Sequence, residues 1–526
     1  MITVTGANHI GYKRSQEGPV TFHSLNPATG EQLPETFHEA TISETDEAIR
    51  LAAEAFPVYS ELSVQKRAAF MKAIAAEMEK NAAQLTEAFT TESGLPQDRA
   101  NTELKRTCFQ LVSYADAILN GSILNAIIDP ADPERKPAPK PDLRRVNMAI
   151  GPVVVFGAGN FPFAYSTMGG DSASALAAGC PVIVKGHAMH PRTSELVACC
   201  VISVAKELGM PEGVFSHLHA KGFTVGEQLV GDSRIRAVGF TGSFKGGMAL
   251  HAIAQKRKEP IPVFAEMSSV NPVVVLPKAI ERNGKDIAEK LAASVALNAG
   301  QFCTSPGLLF LVKNDSSEEF LSTLAGLIEK VPPQVMLHPS IKKNYLESKA
   351  SQRKAASVLT DHDDEPLNAI RPAVFAVSGQ QFAGDENRQN EVFGSFIMVV
   401  ECESTAELKQ CLGVLHGQLT ASVFSDPSEA GLSKDCILLL NKKAGRIIMN
   451  GVPTGVEVSA AQQHGGPFPA TTDSRFTSVG SGAVSRFMRP VTFQGFQDEM
   501  LPETLKSRNP SNILRFVNGN WTTSPC

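Results

Sequence analysis

With 526 residues, 43% apolar and 20% charged side chains, the chain can bury a large core and should divide into two or more domains, which excludes a small peptide or a disordered segment. Lys and Arg number 49 against 54 Asp and Glu, and a net charge of -5 offers no basic field for nucleic acid. The nine cysteines include no CxxC pair, so they fit a reducing compartment better than a disulfide framework.

The first ten residues lack a charged stretch followed by an apolar one, so no signal peptide is expected. Apolar stretches such as Leu196 to Ile202 are too short to cross a bilayer, and a cytoplasmic protein is the expectation. Ser43 and Asp46 have capping-box spacing, and Ala48, Ile49, Ala52, Ala53 and Phe56 recur at helical intervals after them. A second, Ala-rich helix is predicted from Ser63 toward Leu85. Five prolines between Asp129 and Asp142 exclude a helix there and predict an extended arm.

From Gly151 to Glu266, apolar runs alternate with helical stretches centred near 175, 200, 227 and 250. The runs are Val153–Phe156, Val182–Lys185, Val214–Leu218 and Ile235–Phe240, and they predict a parallel sheet wrapped by helices. Such sheets bind ligands at the carboxyl ends of their strands, where Gly157 to Asn160, Lys185 to His187 and Thr241 to Ser243 would share one rim. A further strand, Pro272–Leu276, precedes a helical run over Asp286–Asn298 that stops at Gly300 and delivers Cys303 onto a loop. Gly-rich loops are expected over Asn390–Gly394 and Gly451–Gly482.

Cys303 sits among glycine and polar residues, a setting open to a nucleophile, whereas Cys199 and Cys200 fall inside an amphipathic helix and read as core. Glu266 ends an apolar run, so a half-buried carboxylate with a raised pKa suits a general base. Asn160 carries an amide that can hold an oxyanion. Gly239 to Gly247 lies between a strand and a helix and can receive phosphate, although it matches neither the P-loop nor the GxGxxG pattern. No HExxH, CxxC or clustered carboxylate loop suggests a metal.

Taken in order, Phe156 to Pro162, Val182 to Lys185, Gly239 to Ser243, Phe264 to Pro272, Gly300 to Cys303 and Glu391 to Gly394 resemble the ordered motifs of the aldehyde dehydrogenase superfamily. The 37 positions from Glu266 to Cys303 agree with that pattern. Gly451 to Val458 and His464 to Arg475 resemble the branch of 2-oxoglutarate semialdehyde (2,5-dioxovalerate) dehydrogenases of sugar-acid catabolism, and also NADP-dependent fatty aldehyde dehydrogenases of luminous bacteria.

The resemblance implies an α/β fold with a Rossmann-type cofactor domain over 1–128 and 150–263 and a catalytic domain over 264–477. It assigns 129–149 and 478–526 to oligomerisation, as a homodimer or homotetramer. It implies Cys303 as nucleophile, Glu266 as base and Asn160 as oxyanion donor, with Lys185, His187, Gly239, Gly242, Ser243, Gly247, Glu391 and Phe393 around the cofactor. Phe161, Phe163, Phe302 and Phe468 are candidates for the substrate pocket, and Arg475 for a carboxylate anchor.

Three features depart from the family pattern. Ala188 stands where the family carries a ribose-binding carboxylate, which favours NADP over NAD because a 2′-phosphate would meet no repulsion and could pair with Lys185 or His187. Met267-Ser-Ser-Val replaces Leu-Gly-Gly-Lys, and the usual tryptophan before Asn160 is missing. Two other readings compete: a nitrilase-type hydrolase with a Cys-Glu-Lys triad, which leaves Asn160 and the Gly239 loop unexplained, and an inactive scaffold on the same fold.

Overall fold

The computed structural model describes residues 2–362 and 365–526. Val153–Phe156, Val182–Lys185, Phe215–Leu218, Ala237–Thr241 and Val263–Glu266 are parallel neighbours. With the hairpin Asn8–Ile10 and Lys13–Ser15 they form a seven-stranded sheet, ordered from Val263–Glu266 through Ala237–Thr241, Val153–Phe156, Val182–Lys185 and Phe215–Leu218 to the hairpin. Alternate side chains serve opposite faces. Val153 and Val155 enter a core with helices Val64–Lys80, Gln97–Asn120, Gly170–Ala178 and Pro191–Glu207. Val154 and Phe156 enter another with helices Ile42–Ser60, Thr224–Gly231 and Phe244–Lys256. Burial on both faces explains why these strands are continuous apolar runs.

The order reverses between Val153–Phe156 and Ala237–Thr241, because the chain moves outward to one side from the first strand and to the other side from the second. Such a switch point opens a crevice at the carboxyl ends of the strands. The loops beginning at Gly157 and Gly242 leave from it.

A second seven-stranded sheet runs in the order Ser357–Thr360, Ala373–Ser378, Phe396–Cys402, Leu308–Val312, Val273–Val275, Gln418–Phe424, Ala444–Met449, with only the first strand antiparallel to its neighbour. A five-stranded sheet joins Met488–Gln494, Leu143–Ala149, Ile127–Asp129, Arg515–Val517 and Asn520–Thr522. The proline-rich stretch forms the connection between its strands Ile127–Asp129 and Leu143–Ala149. Among the described residues no helix is long and apolar enough to cross a membrane.

Three predicted helices need corrected boundaries. The first helix is capped by Thr41 and Glu44, which exchange hydrogen bonds of 3.1 and 2.8 Å, and Ser43 lies inside it. The second begins after its Ser63 cap and ends at Lys80, because Asn81 turns its amide back onto the Glu77 carbonyl at 2.8 Å and a separate helix, Ala82–Ser93, follows. The helix predicted over Asp286–Asn298 starts earlier and spans Pro277–Ala296.

Candidate active site

Glu266 is the last residue of the last strand in the first sheet, where its backbone bridges to Thr471. Cys303 lies on the loop leading into the central strand Leu308–Val312 of the second sheet. Asn271, with φ +43, reaches across that loop and donates to the carbonyls of Cys303 and Ser305 at 2.8 and 2.9 Å. Gly300 has φ +66, and a Cβ there would sit 2.4 Å from the backbone of Gly394. Glycine is therefore required where the cysteine loop crosses the 391–394 loop.

Asn160 is held from both sides. The buried Glu103 carboxylate accepts from the backbone N–H groups of Phe163 and Ala164 at 2.9 and 3.0 Å, and Asn160 Nδ2 donates to the Gln301 carbonyl at 3.1 Å. Its amide is thus aimed at the cysteine loop. The Cys303 backbone N–H donates to no backbone carbonyl among the described residues.

His464 occupies the space between nucleophile and base. Its Nε2 lies 3.0 Å from Glu266 Oε1 and 3.6 Å from Cys303 Sγ, while Ser478 Oγ donates to Glu266 Oε2 at 2.8 Å. Burial would raise the Glu266 pKa, but the His464 imidazole and the Ser478 hydroxyl outweigh burial and hold the carboxyl below its usual range. This reverses the raised value expected from the sequence. Burial, reinforced by the Glu266 carboxylate, holds Cys303 well above the ordinary thiol value, so the resting sulfur is protonated. Activation then needs a proton acceptor, and the His464–Glu266 pair is within reach. Glu266, Cys303 and His464 also place three donor atoms within 4.8 Å of one another, as do His9, Glu195 and Cys199 elsewhere; no sequence spacing reveals either group.

A cleft of about 890 Å³ opens at the switch point, lined by Gly159, Asn160, His187, Thr241, Gly242 and Ser243 on one side and by Cys303, Glu391 and Phe393 on the other. Ser243 caps the helix Phe244–Lys256 by accepting from the Gly246 N–H at 3.2 Å, so a helix N-terminus faces this space. Lys185 donates to the Ala220 carbonyl at 2.8 Å, and burial pulls its pKa down to about 8. Burial, with His190 and Lys185 nearby, keeps His187 well below its usual value, so its ring is neutral. Glu391 is half-buried, and the loss of solvent around its carboxyl pushes its pKa up to about 7 against the hydrogen bonds it accepts from Ser268 and the Ser269 backbone.

The model of the aldehyde dehydrogenase family matches residues 12–470. The chain belongs to the aldehyde dehydrogenase family. Its enzymes are oxidoreductases that act on aldehydes with a nicotinamide dinucleotide, and the glycine-lined cleft, the capped helix and Glu391 are donors and acceptors suited to one. An alpha-ketoglutaric semialdehyde dehydrogenase from Acinetobacter baylyi is 41% identical over 98% of this chain and 99% of its own length. Alpha-ketoglutaric semialdehyde dehydrogenase 2 from Azospirillum brasilense is 42% identical over the same shares. Among solved structures, lactaldehyde dehydrogenase from Escherichia coli aligns with TM-score 0.81 at 18% identity over 94% of this chain and 99% of that one. A Thermus 1-pyrroline-5-carboxylate dehydrogenase with bound NAD aligns with TM-score 0.79 at 21% identity over 93% and 92%. The nitrilase-type reading is set aside with the family assignment.

Several residues expected at the aldehyde dehydrogenase site lie elsewhere. Gly239 is buried in its strand with Asp171 against it, and Gly247 leaves room for Met267, so both serve packing, not phosphate contact. Phe163 is buried in the core and stacks on Phe89 at 5.0 Å. Phe468, by contrast, does line the cleft with Cys303 and stands edge-on to Phe244 at 5.8 Å. Arg475 is 80% exposed and already paired with Asp473 at 2.5 Å, so it anchors no buried carboxylate. Phe161 and Phe302 do meet, edge to face at 5.5 Å, beside Cys303. His464 was missed as a functional residue because its partners are 161 and 198 positions away; its only trace was the His464-Gly-Gly motif.

Proposed function

We propose that this enzyme oxidises 2-oxoglutarate semialdehyde to 2-oxoglutarate with NADP, through a thioester on Cys303. The observation that carries the substrate is identity above 40% along nearly the whole chain to two proteins named for that aldehyde. In this reading the Cys303 thiol gives its proton to the His464–Glu266 pair as sulfur attacks the aldehyde carbon. The resulting oxyanion is held by Asn160 Nδ2 and the Cys303 backbone N–H, donors fixed before the charge appears. The bound nicotinamide supplies the hydride acceptor. Glu266, with a carboxyl held low, then takes a proton from the water that hydrolyses the thioester.

NADP is favoured because position 188 is alanine and the cations Lys185 and Lys221 lie near the end of the neighbouring strands. His187, neutral and packed under Gly159, contributes at most a hydrogen bond, not the charge its sequence position suggested. Gly242 and Ser243 would lie against the pyrophosphate, and Lys185, Glu391 and Phe393 against ribose and ring. The five-stranded sheet, formed by the proline-flanked arm and the C-terminal segment, is proposed to join copies as a dimer or tetramer. A cytoplasmic location accords with nine free thiols. The test is absorbance at 340 nm with 2-oxoglutarate semialdehyde and with decanal, each against NADP and NAD. Turnover mainly of decanal makes this a fatty aldehyde enzyme, and silence with every aldehyde makes it an inactive scaffold.

A further inference from the structure

Beyond Phe161 and Phe302, the wall near Cys303 is made by Tyr165, Val456 and Val458, which pack with Ala158 and Val479. Two arginines from distant parts of the chain grip the 453–456 segment of that wall. Arg446, near the start of the strand Ala444–Met449, donates to the carbonyls of Pro453 and Gly455 at 2.5 and 2.8 Å. Arg106, from the helix Gln97–Asn120, donates to the Val456 carbonyl at 3.3 Å, with its guanidinium 5.5 Å from the Tyr165 ring centre. Neither has a carboxylate within 4.0 Å among the described residues. Arg446 Nε and the Tyr165 hydroxyl are buried without a hydrogen-bond partner of ordinary geometry there. Tyr165 itself is 7% exposed, and its ring centre lies 6.0 Å from that of His464.

Half-buried guanidiniums that spend their hydrogen bonds only on neutral acceptors, the Gln110 side-chain oxygen at 3.4 Å from Arg106 among them, beside a buried hydroxyl that only Arg106 approaches, are short of one anion. We infer that Arg106 and Arg446, with the Tyr165 hydroxyl, form the site that receives the carboxylate of an oxo-acid aldehyde while its far end meets Cys303. Both arginines also feel the Cys303 sulfur electrostatically, so the proposed carboxylate end and the reacting end of a short chain lie within reach of one another. Arg99 does not share this role, because Glu103 already pairs with it at 2.9 Å and its guanidinium covers the Phe161 ring at 4.4 Å. The inference rests on the oxo-acid reading above and replaces Arg475 as its anchor.

The test compares kcat/KM for 2-oxoglutarate semialdehyde with that for pentanal, a neutral aldehyde of the same chain length, in the parent enzyme and in Arg446→Met, Arg446→Lys and Arg106→Met. Losing a buried charge partner is expected to lower the oxo-acid to pentanal ratio about 30- to 1,000-fold in the methionine variants, with Arg446→Lys between them and the parent. Alkylation of Cys303 supplies a readout that needs no turnover: iodoacetate, an anion, should lose rate relative to iodoacetamide in the same order. An unchanged ratio, with both aldehydes losing equally, makes the arginines mere supports of the 453–456 segment and overturns the anchor. A parent enzyme that itself prefers pentanal overturns the oxo-acid reading and the anchor with it, and the two failures are told apart before any variant is made.

Discussion

Replacing His464 with leucine should move the acid limb of the kcat–pH profile upward. In the parent, Nε2 lies 3.0 Å from the Glu266 carboxylate, with both side chains almost fully buried. A hydrogen bond to a charged group at such a site is worth about 1.5–3 kcal/mol, or roughly one to two pKa units on Glu266. The sign follows from the competition at this carboxyl: burial pushes it up, and His464 with Ser478 pulls it below the usual range. Without the imidazole, burial prevails, the base holds its proton to higher pH, and thioester hydrolysis fails over a wider acid range. Leucine limits the cavity that alanine would leave. Steady-state rates across the acid range, together with single-turnover release of reduced cofactor, separate hydrolysis from acylation. An acid limb that stays in place, or moves to lower pH, would refute the role given to His464.

Cys303→Ala should abolish turnover while leaving cofactor affinity within about threefold, and residual turnover within tenfold of the parent would remove Cys303 as nucleophile. Glu266→Gln should slow the steady rate more than the burst of reduced cofactor, because His464 still faces the Cys303 sulfur at 3.6 Å, and a burst lost as fully as the steady rate would make Glu266 the thiol's own proton acceptor. Because Lys185 loses its proton near pH 8, NADP should bind roughly tenfold more weakly well above that pH than below it, with NAD less affected, as calorimetric titration at several pH values can show. Equal pH dependence for both dinucleotides would dissociate Lys185 from the 2′-phosphate. Gly300→Ala combines a left-handed backbone, costing about 1–2 kcal/mol, with overpacking against Gly394, costing about 1–3 kcal/mol. Its urea midpoint should fall together with activity, and an unchanged midpoint would mean that the two loops can separate freely.

Contiguous motifs were legible because their chemistry is local. Apolar runs ending in Asn160, Lys185, Thr241 and Glu266 announce strands that stop at one rim, and that rim lines the cleft. Contacts made only in space were not. An apolar phenylalanine reads alike in a core and in a pocket, so Phe163 could not be separated from Phe161 or Phe302 before the stacking on Phe89 was seen. Arg475 and Arg446 look equivalent in one dimension; what distinguishes them is that Asp473 satisfies the first and, among the described residues, no carboxylate reaches the second. The Glu266 pKa was misjudged for the same reason. Burial could be inferred from the preceding run Ile261 to Ala265, but the imidazole that overrides it arrives from a loop folded in much later.

The mounting of the reacting groups has a mechanical consequence. Glu266 rides on the edge strand of the first sheet and Cys303 on a loop of the second, while His464 and Ser478 come from a strap that leaves the second sheet and bridges to the first at Thr471. The distance from base to sulfur is therefore a gauge of how two separately packed cores are seated on each other. A small shift of one core would misalign proton transfer while leaving both interiors intact, so mild denaturant should silence the enzyme before either core melts.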